Sequence, residues 1–363
     1  MKKKELLLLL FCGLLVTGLY AGSKKESTGN KVLRLLTWEG YAPADQVAKF
    51  KEETGITVEV ILSSNEEMIS RLRATGGGGF DLAQPSQDRV SAVVQQFKLY
   101  QPIDYSKVNT AQIDPVMLEA TKKYTEVDGK SYGVPHVFGT SGLIVNKEKV
   151  TVTGTLDYKD LLDPKYAGRV SYRMRRPILI GMGFSLGYDP FSLYNNRDAY
   201  QKYLDAIGEA LIKGKSVVRN YWENGDALLE SIRSGEVWIA KGWEQQAWKL
   251  YKENPNIDYV APASGALAWV DTFAIPARSE NVEGAYQWIN FVLRPENAAA
   301  FTNVENYGTS SKDAIKFYNP EAAANFARCF PPEVIAKMNW YPTVPPGLEE
   351  MEGRTMDRIR ASN

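Results

Sequence analysis

The chain has 363 residues, 44% of them hydrophobic and 11% aromatic, enough to bury cores in two lobes. Its 43 basic and 43 acidic residues cancel, which leaves no basic surplus to hold nucleic acid. One histidine and two cysteines leave no usual ligand set for zinc or copper, so no metal or other cofactor is expected.

The N-terminus stands apart from the rest. Lys2, Lys3 and Lys4 precede an apolar run from Leu6 to about Ala21, and the polar stretch Gly22 to Asn30 follows. A basic region, an apolar region and a linker make an export signal over residues 1–21 with a linker over 22–30. The run is short for a membrane span, so the protein is expected to leave the cytoplasm, either cleaved free or held at the membrane. Cys12 follows Phe11, whereas an acylated cysteine needs a small residue before it. Cleavage near Ala21 would leave Cys329 alone, without an intrachain disulfide. It would also remove three lysines and one glutamate, turning the remainder slightly acidic.

Val32 to Thr37 reads as a short strand ending at Trp38-Glu39-Gly40-Tyr41-Ala42-Pro43. Pro43 suits the start of a helix through Val47 and Phe50, and Gly55 suits its C-cap. Ile56 to Leu62 is β-rich, and Ser64 with Glu67 makes a capping box for a helix carrying Met68, Ile69 and Leu72. Gly76 to Gly79 follow that helix; a phosphate loop must precede one, so the run reads as a connector. Phe80 to Ala83 gives a third strand, then Pro85-Ser86-Gln87-Asp88 and a helix from about Arg89 to Phe97. Strands and helices alternating at this spacing argue for parallel βαβ units, whose ligands bind beyond the C-terminal strand ends. Trp38, Glu39 and Tyr41 after the first strand and Ser86 and Asp88 after the third would meet at that edge. For Trp38 or Tyr41 alone, packing against the next helix is an equally good account.

Farther on, Ser131 to Pro135 and Leu143 to Asn146 read as two strands at a first crossing into a second lobe. A strand at Arg169 to Tyr172 and helices at Arg197 to Ile212 and Asp226 to Arg233 follow. Then Glu236 to Ala240 is a strand leading to Gly242-Trp243-Glu244. Ala268 to Pro276 is an apolar strand-like run that crosses back. In a strand Trp269 and Asp271 share a face, and a π face beside an anion suits a cationic, partly apolar ligand. A strand tryptophan also serves as plain core, and an aspartate as a cap; the repeat of the aromatic-acid pairing at Trp243-Glu244 favours the site. Val282 to Leu293 is a helix, a further one runs to about Val304, and Asn306-Tyr307-Gly308-Thr309 is a third crossing.

A catalytic pattern also occurs. Gly183-Phe184-Ser185-Leu186-Gly187 matches a nucleophile elbow, but it falls in a helical stretch, and the only histidine, His136, lies upstream.

Leu36 to Pro43, Glu53-Thr54-Gly55-Ile56, Ser64 to Met68, Asp81 to Ser86, Trp269 to Pro276 and Trp288 to Glu296 together resemble the spermidine/putrescine-binding proteins of bacterial polyamine ABC importers. The resemblance runs in order over nearly the whole mature chain. It implies a two-lobed α/β periplasmic-binding-protein fold, each lobe a mainly parallel sheet flanked by helices, joined by hinge crossings, without catalysis. Residues 31–136 with 270–307 would form the N-terminal lobe, and 137–269 with 308–363 the C-terminal lobe. The implied partners are a polyamine, putrescine or spermidine, and an inner-membrane permease, with the protein itself a monomer.

By position, Trp38, Tyr41, Trp243 and Trp269 would form an aromatic box, Asp271 would be the principal anion, and Ser86 and Tyr307 would add polar contacts. Glu39, Asp88 and Glu244 are further acids expected at the site. Gly40 stands where the family often has an acid, and Glu39 could substitute. The segment after Tyr172, where the family tends to place two acids, reads Arg173-Met174-Arg175-Arg176-Pro177. Arginines near a cation repel it unless they point away or pair with acids such as Glu244, Glu39 or Asp88, and a diamine needs fewer anions than a triamine. The alternatives are a binding protein for an anionic small molecule, a secreted hydrolase acting through Ser185, and a surface sensor.

Overall fold

A computed structural model describes residues 31–151 and 154–362; the expected export signal, Cys12 and the linker lie outside the described residues. Strand β1 (Val32–Thr37), helix α1 (Ala44–Thr54), β2 (Thr57–Leu62), α2 (Asn65–Ala74), β3 (Leu82–Ala83) and α3 (Gln87–Phe97) open the chain. They make a parallel sheet in the order β2-β1-β3. Local chemistry sets these boundaries. Gly55 ends α1 in the left-handed region (φ 75°), donating its N–H to the Lys51 carbonyl. Ser64 and Glu67 exchange the two hydrogen bonds of the capping box at the start of α2.

Next come β4 (Tyr100–Gln101), α4 (Pro115–Tyr124), the hairpin β5 (Glu126–Val127) and β6 (Lys130–Ser131), and β7 (Val134–Asn146). The sequence suggests two strands where β7 is one. Its apparent interruption, Gly139 to Gly142, exists for closeness. A Cβ on Gly139 would stand 2.4 Å from Cζ2 of Trp269, and one on Gly142 would stand 2.5 Å from the Tyr259 hydroxyl.

The chain continues through β8 (Val170–Ser171), α5 (Arg176–Ser185), α6 (Arg197–Lys213), β9 (Val218–Asn220), α7 (Gly225–Arg233) and β10 (Ile239–Trp243). Then follow α8 (Glu244–Glu253), β11 (Ile257–Val260), β12 (Leu267–Phe273), β13 (Ile275–Pro276), α9 (Val282–Val292) and α10 (Pro295–Glu305). The last elements are β14 (Gly308–Thr309), α11 (Pro320–Cys329), α12 (Pro332–Ile335), β15 (Asn339–Trp340) and α13 (Leu348–Ala361). β10 starts later than the sequence suggests and runs through Gly242, where a Cβ would meet Ile144 at 2.5 Å. Close strand packing, not chain termination, is what that glycine serves.

The second sheet has eight strands in the order β15-β12-β7-β10-β8-β9, with β11 and β14 also on β7. Here the expectation of a mainly parallel sheet fails. The pairs β10–β8, β8–β9 and β12–β15 are parallel, but β7 is antiparallel to β10, β11, β12 and β14. The reason is the crossings. β7 starts at Val134 in a core with Leu33, Phe50 and Trp288 and ends at Val145 in a core with Tyr158, Leu179 and Tyr203. β12 returns, with Leu267 in the second core and Phe273 in the first. Strands that go out and come back side by side pair antiparallel. No helix among the described residues is long and apolar enough to cross a membrane.

Candidate functional site

Register on β7 explains why distant residues meet. Lys241 pairs with Leu143 and Trp243 with Ser141, while Trp269 pairs with Gly139 and Asp271 with Val137. The four partners on β7 alternate with its other face, and residues directly opposite share a face. Lys241, Trp243, Trp269 and Asp271 therefore line one wall, and the loops after β1 and β3 with the first turn of α3 bring Trp38, Glu39, Tyr41, Ser86 and Asp88 to it. Together with Tyr307 they line a cleft of about 1050 Å³.

Asp271 is the centre of one end. Its side chain is buried, with Oδ2 accepting from the Tyr41 hydroxyl at 2.7 Å and Oδ1 from the Ser86 hydroxyl at 2.5 Å. Ser86 occupies the N-cap of α3 but does not cap it. Its hydroxyl serves Asp271 instead and is held by Asn65 Nδ2 at 3.0 Å. Burial pushes Asp271 up to about 7, against the lowering effect of the Ser86 and Tyr41 bonds. Among the described residues no lysine or arginine forms an ion pair with it. Rings crowd the same spot. Tyr41 meets Tyr307 edge-on at 5.6 Å and Trp269 meets Tyr307 at 5.7 Å. Trp38 is pinned by its Nε1–H to the Gln84 carbonyl at 2.9 Å.

Three expected residues sit differently. Glu244 does not line the cleft: it is buried behind Trp269, its Oε2 accepting from the Thr140 N–H at 2.8 Å and hydroxyl at 3.0 Å. Burial pushes it up to about 8. Asp88 lines the cleft, yet its charge is matched by Arg176 at 2.8 Å and Arg89 at 3.4 Å, and Arg176 also holds Glu352 at 3.1 Å. Trp243 stacks edge-on with Trp222 at 5.2 Å, and the Arg173 guanidinium lies 6.0 Å from its ring, so the expected four-ring box divides. Trp38, Tyr41, Trp269 and Tyr307 gather near Asp271; Trp243 belongs to the other end.

The arginines separate too. All three line the cleft, but Arg176 is the buried partner of Asp88, Arg175 is exposed and paired with Glu223 at 3.1 Å, and Arg173 forms no ion pair with any described residue.

Several cleft residues escaped sequence reasoning. Glu305 ends α10, and a Cβ on Gly40 (φ 82°) would stand 2.7 Å from its Oε2. Its carboxylate thus fills the space over Gly40, where Glu39 was expected to substitute; Glu39 itself is exposed on the rim. An acid in the last turn of a helix opposes the helix dipole, which was a readable signal. Lys241 and Trp222 carried none.

The hydrolase pattern dissolves. Ser185 is the buried last residue of α5, its hydroxyl accepting from the Lys159 N–H at 2.8 Å, and the His136 ring is bonded to Gln84 at 2.6 Å.

Two cores joined by strands that pass back and forth beside a ring-and-acid cleft define a solute-binding protein, a molecule that holds its ligand without transforming it. The chain belongs to the bacterial extracellular solute-binding protein family, which it matches over residues 45–328. It is 30% identical to the spermidine/putrescine-binding periplasmic protein 1 of Haemophilus influenzae, over 91% of this chain and 89% of that one. It is 28% identical to the putrescine-binding periplasmic protein PotF of Escherichia coli, over 91% and 92%. The fold also matches the solved spermidine/putrescine ABC transporter substrate-binding protein PotD of Streptococcus pneumoniae, with a TM-score of 0.74 and 24% identity over 91% of this chain and 99% of that one.

Proposed function

We propose that this chain is the substrate-binding component of an ABC importer and that it captures an aliphatic amine of the polyamine class, such as putrescine or spermidine, between its lobes. It then presents the ligand to a membrane permease. The relatives' binding of such amines supports the reading, and one observation carries it. Asp271 is a buried carboxylate with two hydroxyl donors, aromatic rings close by and no ion pair with a lysine or arginine among the described residues. An ammonium there gains a charged hydrogen bond and ring faces, with methylenes lying on the indoles. Micromolar affinity needs about 8 kcal/mol. Charged hydrogen bonds at about 1.5–3 kcal/mol each and cation–π contacts at about 0.5–2 each are sufficient once water leaves the cleft.

Residues 31–136 with 270–307 form one lobe in this reading, and 137–269 with 308 onward the other. The crossings on β7, β12 and β14 act as the hinge. The protein works as a monomer in the periplasm, exported by its N-terminal signal and either free or held at the membrane. Trp38, Tyr41, Trp269, Ser86 and Tyr307 contact the ligand directly, and Glu39 and Glu305 hold negative potential at the rim. Asp88 and Glu244 act at one remove, through Arg176 and Trp269. The test is calorimetry with putrescine and spermidine. Asp271→Asn is expected to weaken binding by about tenfold to a hundredfold while circular dichroism stays unchanged. Unchanged affinity in that variant removes Asp271 from the site.

A further inference from the structure

Away from Asp271 the cleft lining includes two basic side chains, Lys241 and Arg173, with Glu66 and Glu223 among the acids that also line it. Lys241 is 5% exposed, and its ammonium makes no hydrogen bond or ion pair with any described residue. Its Nζ lies 5.9 Å from the centroid of the Tyr158 ring, and its backbone carbonyl accepts from the Trp222 indole N–H at 3.1 Å. Beside it Arg173 stands against two indoles, 5.6 Å from Trp222 and 6.0 Å from Trp243, and its Nε is buried without a partner. Glu66 and Glu223 are the acids that influence Arg173, neither within ion-pair distance, and Glu223 is engaged by Arg175. Burial, with Arg173 as the second cause, pushes Lys241 down to about 7. Two neighbouring basic groups without an ion pair among the described residues, one of them buried, oppose the stability of the fold, and a bound anion would relieve that cost.

The strand register places these cations relative to the acid. Lys241 is opposite Leu143 and Asp271 opposite Val137, about 20 Å apart along β7 at roughly 3.4 Å per residue, and both side chains face the same cleft. Aromatic rings line the wall between them. A second ammonium gains no favourable partner from Lys241 and Arg173, whereas a carboxylate does.

We propose that Lys241 and Arg173 form a carboxylate-binding subsite, so that the cleft takes, besides a polyamine, an extended aliphatic chain with an ammonium at one end and a carboxylate at the other, and holds it more tightly than a diamine of equal length. This rests on the reading of Asp271 as the partner of the amine and specifies the far end of the same cleft. The guanidinium offers a planar fork to the carboxylate and the lysine a point charge, while Trp222 and Trp243 keep Arg173 in place.

The test is calorimetry with two matched series: γ-aminobutyrate, ε-aminocaproate and ω-aminocaprylate, against putrescine, hexamethylenediamine and octamethylenediamine. The best amino carboxylate is expected to bind about tenfold or more tighter than the diamine of equal chain length. Lys241→Met should erase that preference by weakening the amino carboxylate alone, and Arg173→Gln should act in the same direction. Diamines that bind as tightly as their partners throughout, or a preference untouched by Lys241→Met, overturn the proposal. Asp271→Asn should weaken both series alike. If it weakens neither while Lys241→Met still acts, the amine assignment falls and the carboxylate subsite stands. Binding of neither series overturns both.

Discussion

Asp271 shows how one carboxylate is prepared for a cation. Desolvation raises it to about 7, and the hydroxyls of Ser86 and Tyr41 restrain the rise. An ammonium needs the ionised form, so amine affinity should fall as pH drops below about 7, approaching about tenfold per unit. At pH 7 binding should expel protons, visible as a dependence of calorimetric heat on buffer ionisation enthalpy. Ser86→Ala removes one restraining donor and should move the midpoint of that pH profile upward, lowering affinity at pH 7; a midpoint that moves down contradicts this account. Glu244 gives a stability prediction of definite sign. Its folded value, about 8, lies above the ordinary 4.5, so the folded state binds the extra proton between those values. Its contribution to stability is therefore lost as pH rises through that window. Glu244→Gln keeps an acceptor for Thr140 and cannot ionise. It should raise Tm at pH 9, by on the order of 1–3 kcal/mol of stability, and leave it nearly unchanged at pH 5.

At the scale of elements, β7 is the part on which the site depends. Its glycines let Trp269 and Tyr259 lie directly on the backbone, at distances that exclude a methyl group. Gly139→Ala should displace the Trp269 ring, costing about 1–3 kcal/mol of stability and ligand affinity as well. Gly142→Ala crowds Tyr259, which is bonded to Thr140, and should cost stability with a smaller effect on affinity. Equal loss of affinity in both variants would mean that β7, not the Trp269 ring, is what the ligand senses. The start of α3 follows the same logic. Its N-cap serine leaves helix capping to hold Asp271, a local preference given up for a distant partner.

Across the whole molecule, Arg176 on α5 ties α3 to α13 through Asp88 and Glu352, all three buried. Removing the middle member leaves Glu352 without its cation and Asp88 with Arg89 alone. Arg176→Met should therefore cost about 3–5 kcal/mol, read from chemical denaturation, and an unchanged midpoint would show that the network is not coupled to folding. What the sequence determined by itself is local. The capping box at Ser64, the Gly55 stop and the strand at Val32 depend on residues a few positions apart, and each is found in the fold. The antiparallel ladders of the second sheet, the matching of Asp88 by Arg176 and the retreat of Glu244 behind Trp269 were decided by the tertiary structure, as was the meeting of Asp271 with Lys241 in one cleft. The physical reason is that a side chain's charge is set by the groups and the water around it. Those groups come from 88 residues away for Asp88 and 104 for Glu244, beyond the reach of any local pattern.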